Sequence, residues 1–341
     1  MEPNKEHYVL DKKNLGEFLK GLLGSHKVFA PVANERGTVE YGHLNDEKSI
    51  SRINLECLPQ SSPKKVLLPQ SEVLLTWKRN GTKVVVEQKA IGAEKLLIFG
   101  VKPCDAVAIS MMDRLFLEGQ YRDPYYAARR ENTVIIALAC REPASACFCE
   151  SVGGSPSGKD GADVLFTDIG DRFYIDPVTE KGECFLNDNK GTIKKPDSGD
   201  EKLKNAAEND AGKFARKIDI KSVEKLSGLF ESDYWAKIAR RCLGCGTCTY
   251  FCPTCSCFDI NDEYGGRRVR TWDSCQFPDF TMHTSGHNPR PDKAKRLRNR
   301  FYHKFRYSKD IFGKPFCVGC GRCISLCPAG IDITKVINEV K

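Results

Sequence analysis

The chain has 341 residues, with 53 Lys plus Arg against 45 Asp plus Glu and 17 cysteines. A hydrophobic fraction of 40% is enough to build packed cores, so general disorder is excluded, and the length suits two or three domains. No apolar run approaches a membrane span, the polar start MEPNKEHYVLDKKN lacks the apolar stretch of a secretory signal, and a cytoplasmic location is expected. In that reducing compartment the thiols point to metal rather than to disulfides. The formal charge of +8 is weak support for a nucleic-acid partner, because thiolates gathered on metal would offset part of it.

Residues 1–186 read as an α/β domain. Val73–Lys78 and Lys83–Glu87 flank Asn80-Gly81, a dipeptide suited to the positive φ angles of a tight turn, which predicts a β-hairpin. Leu96–Val101 and Val134–Ala139 are short, nearly continuous apolar runs, as expected of strands covered on both faces. Between them Asp105 is expected to cap a helix that carries Val107, Ile109, Met111, Met112, Leu115 and Phe116. Val164–Thr167 and Arg172–Ile175 flank Gly170-Asp171 and predict a second hairpin.

From 187 to 216 the composition shifts to Lys, Asp, Asn, Gly and Glu, as in a solvated linker or insertion. Val223, Leu226, Phe230, Tyr234 and Ile238 then recur at helical intervals, with Gly228 and Ser232-Asp233 as break points. Residues 187–240 are therefore expected to form a charged linker and helical connector. Residues 241–341 are expected to form a bacterial ferredoxin-like α+β domain with two clusters, interrupted by a basic, helical insertion at 258–315.

Two cysteine runs carry that expectation. Cys242, Cys245, Cys248 and Cys252 follow C-x2-C-x2-C-x3-C-P, and Cys317, Cys320, Cys323 and Cys327 repeat it. Even the interior glycines recur, as Gly244 and Gly246 against Gly319 and Gly321. In such runs three thiolates hold one [4Fe-4S] cluster and the fourth holds the other. By that rule Cys242, Cys245, Cys248 and Cys327 bind one cluster, and Cys317, Cys320, Cys323 and Cys252 bind the second. The glycines permit a tight loop and let backbone N–H groups approach sulfur. Structural zinc would explain two spaced pairs, but not two four-cysteine runs each closed by proline.

Cys104 follows the first predicted inner strand, Cys140 ends the next, and Cys147 and Cys149 follow in the same connection. Ligands gather outside the carboxyl ends of strands in open α/β sheets, so these thiols share one edge. A third cluster and four separately buried cysteines both fit that spacing. Cys57 and Cys184 are isolated and read as structural. Cys255, Cys257 and Cys275 receive no role, although one of them could replace a ligand in the pairing above.

The strings VFAPV, FGVKPCDAVAI, CFC, RCLGCGTC with CPTCSCFD, RTWDSCQF, GHNPRP and CVGCGRC mark a match that extends over most of the chain, from Val28 to Cys323. On these residues it resembles the iron-sulfur beta subunits of cytoplasmic sulfhydrogenase-type [NiFe] hydrogenases, and it is similar to the alpha subunit of anaerobic sulfite reductase. The resemblance implies a subunit of a hetero-oligomer that passes electrons between an NAD(P)H-linked flavoprotein subunit and a separate catalytic subunit. In the sulfite reductase alternative the catalytic subunit carries sirohaem. The resemblance also implies a third [4Fe-4S] cluster on Cys104, Cys140, Cys147 and Cys149. No phosphate-binding glycine motif is present, and the C-x2-C pairs are already used by the ferredoxin-like runs, so no complete catalytic site is expected.

Two rival functions follow from residues outside these motifs. Arg290 to Arg306 combines basic residues with Phe301, Tyr302 and Phe305, which could serve nucleic-acid binding. A solvated basic face that offsets cluster charge or docks an acidic partner is preferred, with charge reversal at Arg296 and Arg298 as its test. An enzyme with one cluster open to substrate has only the surplus thiols, His283 and His287 to support it.

Overall fold

The computed structural model describes residues 6–88, 92 and 94–340. Two compact units are present. The first comprises Met1–Pro63, Ala93–Lys217 and Val318–Gly321, and the second comprises Lys64–Gly92, Ile218–Cys317 and Arg322–Lys341. These divisions differ from boundaries drawn at 186 and 240. The predicted hairpin near Asn80 belongs to the second unit, and the polar segment 187–216 belongs to the first.

The first unit is built on a seven-stranded sheet in the order Tyr8–Asp11, Arg172–Pro177, Val164–Asp168, Thr133–Leu138, Leu96–Val101, Lys27–Ala33, Val39–Leu44. The inner four strands run parallel, and the outer pairings are antiparallel. Leu97, Phe99, Ile136, Leu138, Val164 and Phe166 share a core with Phe18, Leu19 and Leu22 of the helix Leu15–Leu22. Ile98, Ile135 and Leu165, at the alternating positions, are also fully buried. Both faces are covered, as the apolar runs predict, and the hairpin around Gly170 forms.

The helix after Leu96–Val101 spans Pro103–Phe116, with Lys102 at its N-cap. Asp105 is therefore not the cap. Proline at the first helical position sets the start with its fixed φ and missing N–H, and Asp105 is fully buried within the first turn. The polar segment is likewise not wholly solvated. It forms the helix Asp200–Asn209, and Arg172 of the sheet pairs with Asp197 at 2.9 Å and with buried Asp200 at 3.1 Å. Charge pairing fixes this stretch where apolar content is low.

The second unit contains a four-stranded antiparallel sheet in the order Phe258–Glu263, Arg267–Trp272, Ser71–Asn80, Lys83–Gln88. The insertion 258–315 thus opens as a hairpin rather than a helix. Buried Arg270 and Glu72 pair across the sheet at 2.6 Å. The predicted connector appears as the helices Ile220–Lys225 and Tyr234–Ala239, joined through a 3₁₀ turn at Leu226–Leu229. Trp235 packs on Phe301 and Tyr302, with ring centroids 5.5 and 5.8 Å apart. Those aromatics lie on the helix Lys293–Tyr302, which continues through a π-helical turn at His303–Tyr307 into Ser308–Phe312. Among the described residues no helix is long and apolar enough to cross a membrane.

Candidate metal centres

In the first unit the adjacent parallel strands Leu96–Val101 and Thr133–Leu138 end at the same sheet edge. Cys104 lies in the first turn of the helix that follows one, and Cys140, Cys147 and Cys149 lie in the connection that follows the other. All four line one cavity of about 960 Å³. Burial pushes the Cys140 thiol up, and it pushes Cys149 up to about 12, with the neighbouring Cys140 and Cys147 sulfurs adding to the effect. Thiols so placed stay protonated in the free chain near neutral pH, whereas a bound soft metal would hold them as thiolates. Four sulfurs on one cavity suit a thiophilic group.

This connection rests on the glycine-rich backbone of the second cysteine run. Phe148 N–H donates to the Gly319 carbonyl at 2.8 Å. A Cβ on Gly319 would come within 2.5 Å of the Cys149 backbone, and one on Gly321 within 2.5 Å of the Ala146 backbone. Both glycines also hold positive φ, +63° and +75°, so the close approach and the turn each require glycine. Cys147 Sγ lies 3.7 Å from the Cys320 carbonyl, and Cys320 lines the same cavity. Sequence reasoning explained these glycines through their own loop and missed the second backbone they admit. Cys57 and Cys184 are exposed rather than packed in the core, and Cys57 lines this cavity as well.

In the second unit, Cys242, Cys245, Cys248 and Cys327 line one hollow, together with Cys323, Gln276 and Arg300. The four thiols paired by sequence for one cluster are thereby brought together. The hollow is narrow, about 40 Å³, and the fit lies in the donor set rather than in its volume. Gly244 N–H approaches Cys242 Sγ at 3.4 Å and Ile331 N–H approaches Cys327 Sγ at 3.3 Å, the backbone-to-sulfur contacts expected of a cluster loop. Burial pushes Cys248 up to about 12, whereas the Thr247 hydroxyl beside Cys245 holds that thiol below its usual value. Among the described residues no three His, Cys, Asp or Glu side chains converge closely enough to share one metal ion. A four-iron group differs in giving each thiolate its own iron.

Of the residues paired for the other cluster, Cys317, Cys323 and Cys252 belong to the second unit and Cys320 to the first. Cys323 is pushed up by burial, with Arg300 opposing and the charge of Cys252 adding. The surplus Cys255 and Cys275 are buried, and Cys257 is half-buried. Cys257 precedes one strand of the hairpin and Cys275 follows the other, where Asp273 N–H donates to the Cys257 carbonyl at 3.0 Å. The Cys257 thiol holds Cys275 down, and Cys255 holds Cys252 down, through sulfur hydrogen bonds. Lys64 Nζ donates to the carbonyls of Thr249, Cys252 and Cys255 at 3.3, 2.9 and 2.9 Å, which pins the end of the first run.

The basic helix corrects the expectation of a solvated face. Arg296, Arg300 and Lys304, each four residues apart, are all buried. Arg296 donates to the carbonyls of Arg290 and Pro291 at 3.0 and 2.8 Å, so it does not present a docking charge. Arg298 stacks on Phe230, 3.6 Å from the ring centre, and pairs with Glu231 at 3.3 Å. The four-residue spacing was the available signal for the buried row, but it also fits an exposed stripe. His283 and His287 are exposed and meet edge to face with ring centres 5.4 Å apart, joined by a backbone hydrogen bond of 2.9 Å.

Residues 241–331 match the family described as a 4Fe-4S dicluster domain. Over 337 residues the chain is 32% identical to sulfhydrogenase 2 subunit beta of Pyrococcus furiosus, covering 95% of each chain. No solved structure matches.

Proposed function

We propose, from the premise that this chain belongs to the sulfhydrogenase subunit beta family, that it relays single electrons between an NAD(P)H-linked flavoprotein subunit and a separate catalytic subunit of a hydrogenase-type complex. It is an iron-sulfur electron-transfer subunit by family and by its dicluster domain. The observation that carries the relay reading is the convergence of Cys242, Cys245, Cys248 and Cys327 on one hollow within the matched segment. Cys317, Cys320, Cys323 and Cys252 would hold a second [4Fe-4S] cluster, and Cys104, Cys140, Cys147 and Cys149 a third. When bound, such clusters supply one-electron redox chemistry without bond-making. The chain's own part is to bury the sulfurs, aim N–H groups at them and set the local charge.

A whole-length match to a sulfhydrogenase subunit favours hydrogenase chemistry over the sulfite reductase alternative. The nucleic-acid reading weakens because Arg296, Arg300 and Lys304 are buried and unavailable to phosphates. We further propose a hetero-oligomer working in the anaerobic cytoplasm without a membrane span.

Anaerobically purified full chain tests the reading through iron and sulfide analysis with EPR. The expected result is about twelve irons per chain in cubane form. A colourless, zinc-loaded chain overturns the relay.

A further inference from the structure

Arg300 and Lys304 are the most deeply enclosed cations of the basic helix, only 4% and 1% exposed. Among the described residues no carboxylate lies within ion-pair distance of either. Two other buried cations of this unit are partnered differently: Arg270 by Glu72, and Arg296 by backbone carbonyls. Arg300 instead lines the hollow of Cys242, Cys245, Cys248 and Cys327, and its Nη1 lies 3.5 Å from Cys255 Sγ. Lys304 Nζ donates to Thr254 Oγ1 at 2.6 Å, and that hydroxyl, whose own proton goes to the Phe316 carbonyl at 2.7 Å, stands 3.4 Å from Cys252 Sγ. Lys304 falls within the π-helical turn, a distortion that often marks functional positions.

A buried cation without an anionic partner is strongly disfavoured. The groups offered to these two are sulfurs, directly or through one hydroxyl. Thiolates bearing a cluster would carry the negative charge that the pair lacks, and a fixed positive charge nearby favours the more negative, reduced state.

We propose that Arg300 and Lys304 are the counter-ions of the dicluster domain, Arg300 acting on the site lined by Cys242, Cys245, Cys248 and Cys327 and Lys304 on the site that includes Cys252, each raising the reduction potential there. This rests on the relay reading and deepens it by naming the residues that set the potentials. Both act through the ligands as positioning residues, without touching a reacting substrate.

The test is an EPR-monitored redox titration of the anaerobically purified full chain, with iron counted in every variant. Arg300→Gln and Lys304→Gln are each expected to move a midpoint to more negative potential by at least a tenfold change in the reduction equilibrium, about 59 mV for one electron. The two variants are expected to move different signals, and Arg300→Lys and Lys304→Arg to return them close to the wild-type values. A merely structural role would lower stability without this charge-dependent rescue. Wild-type midpoints in iron-replete Gln variants overturn the inference while leaving the relay intact. If Arg300→Gln does not retain iron, Lys304→Gln alone decides, and an unshifted midpoint there overturns the proposal. An iron-free wild-type chain sinks the relay reading itself.

Discussion

The cysteine group of the first unit and those of the second differ in what surrounds sulfur. Cys104, Cys140, Cys147 and Cys149 sit beyond the carboxyl ends of two parallel strands, facing a cavity of about 960 Å³. Their position follows from sheet topology, and burial, with neighbouring sulfurs adding to it, drives Cys140 and Cys149 toward the protonated form. The second unit holds its thiols on short loops and single helical turns and places buried Arg300 and Lys304 among them. The same donor chemistry is therefore delivered in one case at the edge of a sheet and in the other beside enclosed positive charge.

Ligand replacement is the strongest way to break this comparison. Cys104→Ser is expected to remove about four irons per chain while the two-cluster EPR signals persist. An unchanged iron count would dissolve the first group as a metal centre. A second effect concerns the backbone approach at the cavity wall. Gly319→Ala is expected to cost more than about 2 kcal/mol, since positive φ is compounded by a 2.5 Å clash with backbone. Gly37→Ala, also at positive φ but in open space, should cost only about 1 kcal/mol. Equal losses in denaturant unfolding would show that the close approach contributes nothing.

A smaller effect should appear in pH. Cys140 and Cys149 are held above the ordinary thiol value and retain protons until the solution becomes more alkaline. Refilling of the iron-free first site should therefore strengthen as pH rises, by roughly tenfold per pH unit for each proton released. Anaerobic reconstitution of wild type and Cys104→Ser at several pH values separates that contribution, and a flat difference would contradict it. The smallest effect belongs to Arg298, where Ala should cost about 0.5–1 kcal/mol by removing stacking on Phe230 and an ion pair with exposed Glu231. Thermal unfolding suffices to check it.

Local chemistry was legible where neighbours in sequence decide the outcome. Asn80-Gly81 and Gly170-Asp171 marked real hairpins, and the repeated spacing around Cys242 picked out four thiols that line one hollow. The distant partner of the first hairpin was not legible, because pairing of Ser71–Asn80 with Arg267–Trp272 is set by tertiary register. Pro103 displaced Asp105 as the start of its helix through a covalent constraint stronger than a side-chain cap. Arg300 and Lys304 looked like solvated charges since nothing in a basic repeat reveals which row will turn inward. Segment 187–216 looked like a linker because its anchors, Asp197 and Asp200, hold through pairing with Arg172 rather than through apolar burial.

The lodging of Val318–Gly321 in the first unit bears on modularity. An amino-terminal fragment ending at residue 217 would lack the backbone against which Phe148 and Cys149 rest. Nor could a generic ferredoxin cassette be grafted in its place unless it reproduced that glycine pair at the same spacing. Recombination must therefore treat the halves as a single heritable block, with the last quarter of the chain completing what the first began.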